Sequence, residues 1–191
     1  MTKENPYLEV NGQTVYAVVD GMGTAKEMGM RILSENGIDD PVPNEWYSQE
    51  EWLSAFKQIA ENIGPHTLFA IGRSIPKNAE FPSEIDDIEK ALASIDVAYH
   101  MNHKIDGEPM FNEKDGSMKE GIGHYTFKKT GDKQAEVICD NPYPCDFDKG
   151  IVKEMAQRFK PEDSLLVKVE HDETDECRKK GDKVCTYTVT W

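Results

Sequence analysis

Apolar positions recur along this chain with two different periods, and the change of period divides it. From Gln13 to Asp20 the chain reads Q-T-V-Y-A-V-V-D. That run of β-branched and aromatic residues predicts a strand. Gly21-Met22-Gly23-Thr24 follows as a turn and helix cap. Ala25, Met28, Ile32 and Leu33 then fall at helical spacing and end near Asn36-Gly37. Ser48, with Glu51 three residues on, has the form of a capping box. Behind it Trp52, Leu53, Phe56, Ile59, Ala60 and Ile63 mark one apolar helix face. Gly64-Pro65 breaks that helix, and a second one carries Leu68, Phe69 and Ile71 up to Pro76. Ser83 to His103 is the longest periodic stretch, with Asp86, Asp87 and Glu89 at its start, where the helix dipole favours acidic side chains. Ile105 to Lys119 is polar and reads as a surface loop.

The second part of the chain changes character. Ile122 to Phe127 and Ala135 to Ile138 alternate as strands joined by a turn at Thr130-Gly131-Asp132-Lys133. Asp146 to Lys160 is helical, with Phe147, Ile151, Val152, Met155, Ala156 and Phe159 inward, and Pro161 ends it. Leu165 to His171 and Val184 to Trp191 alternate again. Helices first and sheet later indicate an α+β fold, a helical N-terminal half packed on an antiparallel sheet. The 191 residues are expected to form one domain, 1–120 mainly helical and 121–191 the sheet half.

All four cysteines fall in the sheet half, as Cys139 with Cys145 and Cys177 with Cys185. Zinc takes four sulfur or nitrogen ligands tetrahedrally, and a closed four-ligand site is structural. The expectation is a structural zinc held by Cys139, Cys145, Cys177 and Cys185. Arg178, Lys179 and Lys180 would offset the charge of its thiolates. Metal-free thiols, a disulfide between neighbours, and a thiol redox sensor are the competing readings. His100 and His103, three residues apart, share a helical face and with His124 form the second constellation, a weaker candidate for binding haem iron. Side chains hydrogen-bonding nearby carbonyls explain the same histidines.

The formal charge of −14 opposes binding to nucleic acid or an anionic membrane surface. No apolar stretch reaches the ~20 residues that span a bilayer, and residues 1–6 lack the pattern of a signal peptide, so a cytoplasmic location is expected. The sequence contains no G-x-S-x-G, no H-E-x-x-H and no glycine-rich cofactor fingerprint. No catalytic residue is assigned, and a binding module is favoured over an enzyme.

The stretch C-D-F-D-K-G-I-V-K-E-M-A-Q-R-F, a following strand, and C-x7-C before a closing strand resemble the four-vinyl-reductase domain. That family's fold is related to trafficking-complex subunits and haem–nitric-oxide-binding domains. The resemblance covers roughly Ile122 to Trp191 and implies a small-molecule sensor with a zinc site. Its members include ligand-sensing parts of phenol-responsive activators and proteins linked to chlorophyll biosynthesis, the latter implying a tetrapyrrole-handling protein or enzyme instead. Cys145 matches the cysteine before the helix, and Cys177 and Cys185 match the closing pair. The family's acidic ligand has no direct counterpart, because the segment 171–176 reads as an insertion. Cys139 takes that place, with Glu170 or His171 as fallback. An apolar ligand pocket would draw on Tyr99, Met101, Phe127, Met155 and Phe159. A homodimer reporting to a separate signalling protein is the implied assembly. The haem-binding relatives use a tyrosine–serine–arginine signature, which this sequence lacks.

Overall fold

The computed structural model describes residues 7–171 and 176–191. Residues 1–6, read above as lacking a signal peptide, and residues 172–175 of the expected insertion lie outside them. The fold is α+β. It comprises two compact units: residues to Asn62 with Val97–Gly121, and Ile63–Asp96 with Ile122–Trp191.

The first unit opens on strand β1 (Leu8–Asn11) and helix α1 (Gly12–Gly21). The strand expected over residues 13–20 is therefore a helix. The Asn11 side chain accepts a hydrogen bond from the Gln13 N–H at 2.7 Å and caps it. Val15, Val18 and Val19 are fully buried, which is the i, i+3, i+4 spacing of a helix face. Local β propensity yields to that burial, because propensity amounts to only tenths of a kcal/mol per residue, about 0.7 at most. Helix α2 (Lys26–Glu35) follows a single 3-10 turn and ends before Gly37, whose φ of 91° suits only glycine comfortably.

Strand β2 (Trp46–Ser48) leads into helix α3 (Gln49–Asn78), where Ser48 Oγ accepts from the Glu51 N–H at 3.4 Å. Trp52, Phe56 and Ile59 are buried, and the first two rings stack at 4.9 Å. At Gly64 (φ 72°, ψ 173°) the backbone leaves helical geometry, ahead of Pro65, as the sequence predicts. The chain resumes its helix through Pro76 rather than stopping there.

Helix α4 (Ile88–Met101) starts later than its periodicity suggested, because Asp87 Oδ1 accepts from the Lys90 N–H at 2.8 Å and fixes the start. Strands β3 (His103–Ile105) and β4 (Glu108–Pro109) replace part of the loop expected over residues 105–119. They complete an antiparallel sheet in the order β2-β1-β3-β4. Met110 is fully buried there, so this polar stretch hides an apolar anchor.

The second unit holds strands β5 (Tyr125–Gly131) and β6 (Gln134–Cys139), helix α5 (Cys145–Arg158), and strands β7 (Lys168–His171) and β8 (Cys185–Thr190). The strands form an antiparallel sheet in the order β5-β6-β8-β7. Ala135, Val137 and Cys139 pair with Val189, Tyr187 and Cys185, and all six are fully buried. This is the period-2 alternation of a one-sided core. Leu165 and Leu166, expected in the β7 strand, precede it and are 93% and 81% exposed.

Helix α5 packs on the second part of α3 through glycines. A Cβ on Gly150 would overlap the Phe69 carbonyl and lie 2.9 Å from Arg73 N. One on Gly72 would overlap the Phe147 carbonyl. The two backbones thus meet where no side chain fits, and the crossing is fastened at its rim by the Arg73–Glu154 ion pair at 2.6 Å. Gly150→Ala is expected to force the helices apart and cost about 2–3 kcal/mol. Urea denaturation of the variant against wild type measures it, and an unchanged midpoint contradicts this packing.

Candidate functional site: a buried thiol cluster and a histidine pair

Three of the four cysteines converge in the second unit. Cys145 is the first residue of α5, Cys185 is the first residue of β8, and Cys177 precedes a 3-10 turn over Arg178–Lys180. Their sulfurs lie 3.2 Å (Cys145–Cys185), 3.9 Å (Cys145–Cys177) and 4.0 Å (Cys177–Cys185) apart, and all three are buried. The turn is closed by Asp182, which accepts from the Cys177 N–H at 2.9 Å, and by Gly181 at φ 92°. Cys139 is buried opposite Cys185 in the β6–β8 register but stands outside this group of sulfurs. The fallback ligands are elsewhere: Glu170 is exposed and pairs with Lys168 at 2.7 Å, and the His171 ring lies on Tyr187 at 4.8 Å. Among the described residues the cluster is a set of three thiols, not four.

Arg178 organises what surrounds the cluster. Its guanidinium donates to Asp148 Oδ2, to the Asn141 carbonyl, and to Asn141 Oδ1 at 2.7 Å. Its Nε and its backbone N–H donate to Cys185 Sγ at 3.4 and 3.3 Å. Burial alone would raise the Cys185 pKa, but the Arg178 N–H, the guanidinium and the Cys145 thiol reverse this and hold it below the usual thiol value. Burial and the bond to Cys185 push Cys145 well up. Of the two sulfurs, Cys185 is the one whose anion its surroundings favour, and Cys145 is the one they hold protonated. Cys139 is pushed up by burial and remains a thiol.

Asp148 is fully buried, and Tyr125 donates to its Oδ1 at 2.6 Å. Burial lifts its carboxyl to about 6 while Arg178 and Tyr125 pull the other way. Tyr187 donates to the Cys145 carbonyl at 2.8 Å and ties the sheet to the start of α5. Of the three cations after Cys177, Arg178 meets a sulfur, Lys179 pairs with Asp146 at 3.0 Å, and Lys180 is exposed. Sequence reasoning passed over Asp148. The available signal is its phase: three residues after Cys145 and four before Val152, a carboxylate sits on the apolar stripe of α5.

The histidines are set differently. His100 and His103, in the first unit, are 0% and 1% exposed. The His103 Nδ1 lies 2.7 Å from the Tyr99 carbonyl, which can only accept, so Nδ1 carries the proton. Burial pushes the His103 pKa down to about 4, leaving a neutral imidazole at physiological pH. The Tyr99 ring packs edge-on against both imidazoles, at 5.5 and 4.6 Å. His124, in the second unit, is half-buried and its Nδ1 lies 3.0 Å from Asp96 Oδ2.

The residues expected to line an apolar pocket are distributed between the units. Tyr99 is buried in the first. Met101, 46% exposed, lines a cleft of about 550 Å³ there with Trp46 and Phe111. Met155 is buried in the second unit, where Phe127 and Phe159 are half-buried and Phe159 meets Phe81 edge-on at 5.2 Å. No helix among the described residues is long and apolar enough to cross a membrane.

Comparison with known proteins finds likeness of fold without likeness of sequence. No protein-family model matches the chain and no curated protein matches it. The four-vinyl-reductase resemblance thus gains no support, whereas the related haem–nitric-oxide fold does. An H-NOX protein from Shewanella oneidensis in the Fe(II)NO ligation state is 15% identical, with a TM-score of 0.62 over 94% of this chain and 97% of that one. A point mutant of the T. tengcongensis H-NOX is 16% identical, with a TM-score of 0.62 over 94% and 96%. An oxygen-binding H-NOX domain related to soluble guanylate cyclases is 15% identical, with a TM-score of 0.57 over 94% of each. The metal in these folds is haem iron. That corrects the expectation of zinc as the cofactor, and the three-sulfur count among the described residues removes the closed four-cysteine set on which the expectation was built.

The buried Arg178–Asp148 pair makes two predictions. Arg178→Met strands a buried carboxylate and is expected to cost about 3–5 kcal/mol; urea denaturation at neutral pH measures the loss. The second concerns pH. Because folding raises the Asp148 pKa from 3.8 to about 6, its contribution is complete below pH ~4 and is lost as pH rises through ~6. The stability difference between wild type and Asp148→Asn should therefore fall by up to about 3 kcal/mol across that window and stay level above it.

Proposed function

We propose that this chain is a sensor domain that binds haem and, through it, a small diatomic ligand, with His103 supplying the iron-binding nitrogen. The observation that carries the reading is the state of that imidazole. Histidines that ligate metals almost always give their other ring N–H to a carbonyl or carboxylate, which fixes the tautomer and aims the lone pair. His103 has that arrangement: Nδ1–H is held by the Tyr99 carbonyl, so Nε2 carries the lone pair, and burial keeps the ring neutral. A neutral imidazole is the form that binds a metal.

The fold likeness supports the same reading, since the solved neighbours include an Fe(II)NO state and an oxygen complex. Haem, when bound, supplies an iron that takes a small diatomic molecule. What the chain's own residues do is hold the imidazole in one tautomer and one orientation, with the Tyr99 ring packed against it. The fit lies in the iron donor. The tyrosine–serine–arginine signature is absent, Tyr125 is committed to Asp148, and Arg178 is committed to Asp148, Asn141 and Cys185. Any recognition of the haem carboxylates therefore rests on other side chains.

Haem titration into the purified chain tests the proposal. Absorbance should saturate at one haem per chain, and the ferrous form should shift its band on adding carbon monoxide. His103→Ala should weaken binding by at least on the order of tenfold and regain the band with added imidazole, while His100→Ala should retain it. Absence of a saturable band overturns the haem reading, and loss with His100→Ala alone overturns the choice of ligand.

A further inference from the structure

The thiol cluster lies in the other compact unit from His103 and serves no role in the proposed sensing chemistry. We propose that Cys185 and Cys145 are a peroxide-oxidised pair, Cys185 being the attacking sulfur and Cys145 the one that closes a disulfide. Four features on different elements converge on this assignment. The two sulfurs are 3.2 Å apart, the shortest separation in the cluster, while each lies 3.9 Å or more from Cys177. Two donors from Arg178 face Cys185 Sγ and stabilise the anion that attacks. The Cys145 thiol, held protonated by burial, lies within hydrogen-bond reach of that sulfur. The third partner, Cys177, is held by its own loop, its N–H on Asp182 and its carbonyl accepting from Lys180 at 2.8 Å. Cys139 meets none of these conditions.

The co-reactant is a small hydroperoxide. Cys185 S⁻ attacks one peroxide oxygen and the O–O bond breaks. The sulfur is oxidised to the sulfenic acid, and the departing hydroxide takes a proton from solvent to become water. Cys145 sulfur then attacks the Cys185 sulfur. The S–S bond forms, the S–O bond breaks, and the second hydroxide leaves as water with the proton that Cys145 carried. Two thiols lose two electrons to one peroxide, and atoms balance. Hydrogen peroxide is water-sized, and the segment 179–183 that joins Arg178 to β8 is exposed, so opening of one short turn admits it. Closing from 3.2 Å to a bond of about 2.05 Å needs only a small shift of α5 against β8.

The experiment treats the reduced, full chain with hydrogen peroxide at a one-to-one ratio, then alkylates under denaturing conditions and maps the peptides by mass. The expected result is loss of two of the four alkylatable thiols and one linked peptide pair, Cys145 with Cys185, lighter by two hydrogens. Arg178→Lys should slow this oxidation, and Cys145→Ser should leave a sulfenic acid on Cys185 that a dimedone probe traps. A linkage through Cys177 or Cys139, or no loss of thiols, overturns the assignment. So does a wild-type chain whose thiols react only after a chelator is added, since a bound metal then occupies them. The peptide map of wild type decides the matter even if a variant fails to fold.

Discussion

The second unit depends on a buried charge that cannot stand alone. Asp148 lies on the inner stripe of α5 at zero exposure, where an isolated carboxylate would cost several kcal/mol on the order of its lost hydration. The unit meets that cost with one residue from a distant loop. Arg178 presents its fork of donors to Asp148, to Asn141 and to a sulfur, and Tyr125 adds a hydroxyl from β5. A pair of this kind contributes little net stability, because desolvation offsets most of its attraction. Its effect is on position: the turn that carries the guanidinium to Asp148 and Asn141 also lies between Cys177 and Cys185, so the cation and the thiols are placed together.

Two kinds of metal-capable or redox-capable chemistry therefore occupy one chain in separate units and in opposite electrostatic settings. The thiols sit against a cation, which favours the anionic sulfur of Cys185. The imidazole of His103 sits in an apolar interior, which favours the neutral ring. Cysteine pairs invite a zinc reading from spacing alone, because ligand counting in a sequence treats every cysteine as equivalent. The register separates them: Cys139 and Cys185 are partners across β6 and β8, yet the sulfurs that cluster with Cys185 come from α5 and the turn.

Much of the architecture was legible because its cause is local. The apolar stripe of Trp52, Phe56 and Ile59, the break at Gly64-Pro65, the hairpin at residues 130–133 and the inward face of α5 all follow from spacing and backbone restriction. The failures share one cause. The Q-T-V-Y-A-V-V-D run has strand propensity and helical burial, and burial of three valines outweighs propensity. Strands β3 and β4 are three and two residues long, too short to show a period, and exist because β1 offers them an edge. Exposed Leu165 and Leu166 carry the composition of a strand without belonging to one.

The functional side chains divide in the same way. By itself the sequence determined which residue types were available: four thiols in one half, two histidines three apart, and an arginine following Cys177. It also determined that α5 would be amphipathic, with Asp148 in phase with its apolar stripe. Tertiary structure alone decided that three sulfurs meet while the fourth stays apart, that Arg178 reaches Asp148 thirty residues away, and that burial holds His103 neutral. Proton positions and sulfur separations depend on dielectric, distance and hydrogen-bond partners brought from remote segments. None of these is a property of neighbours along the chain.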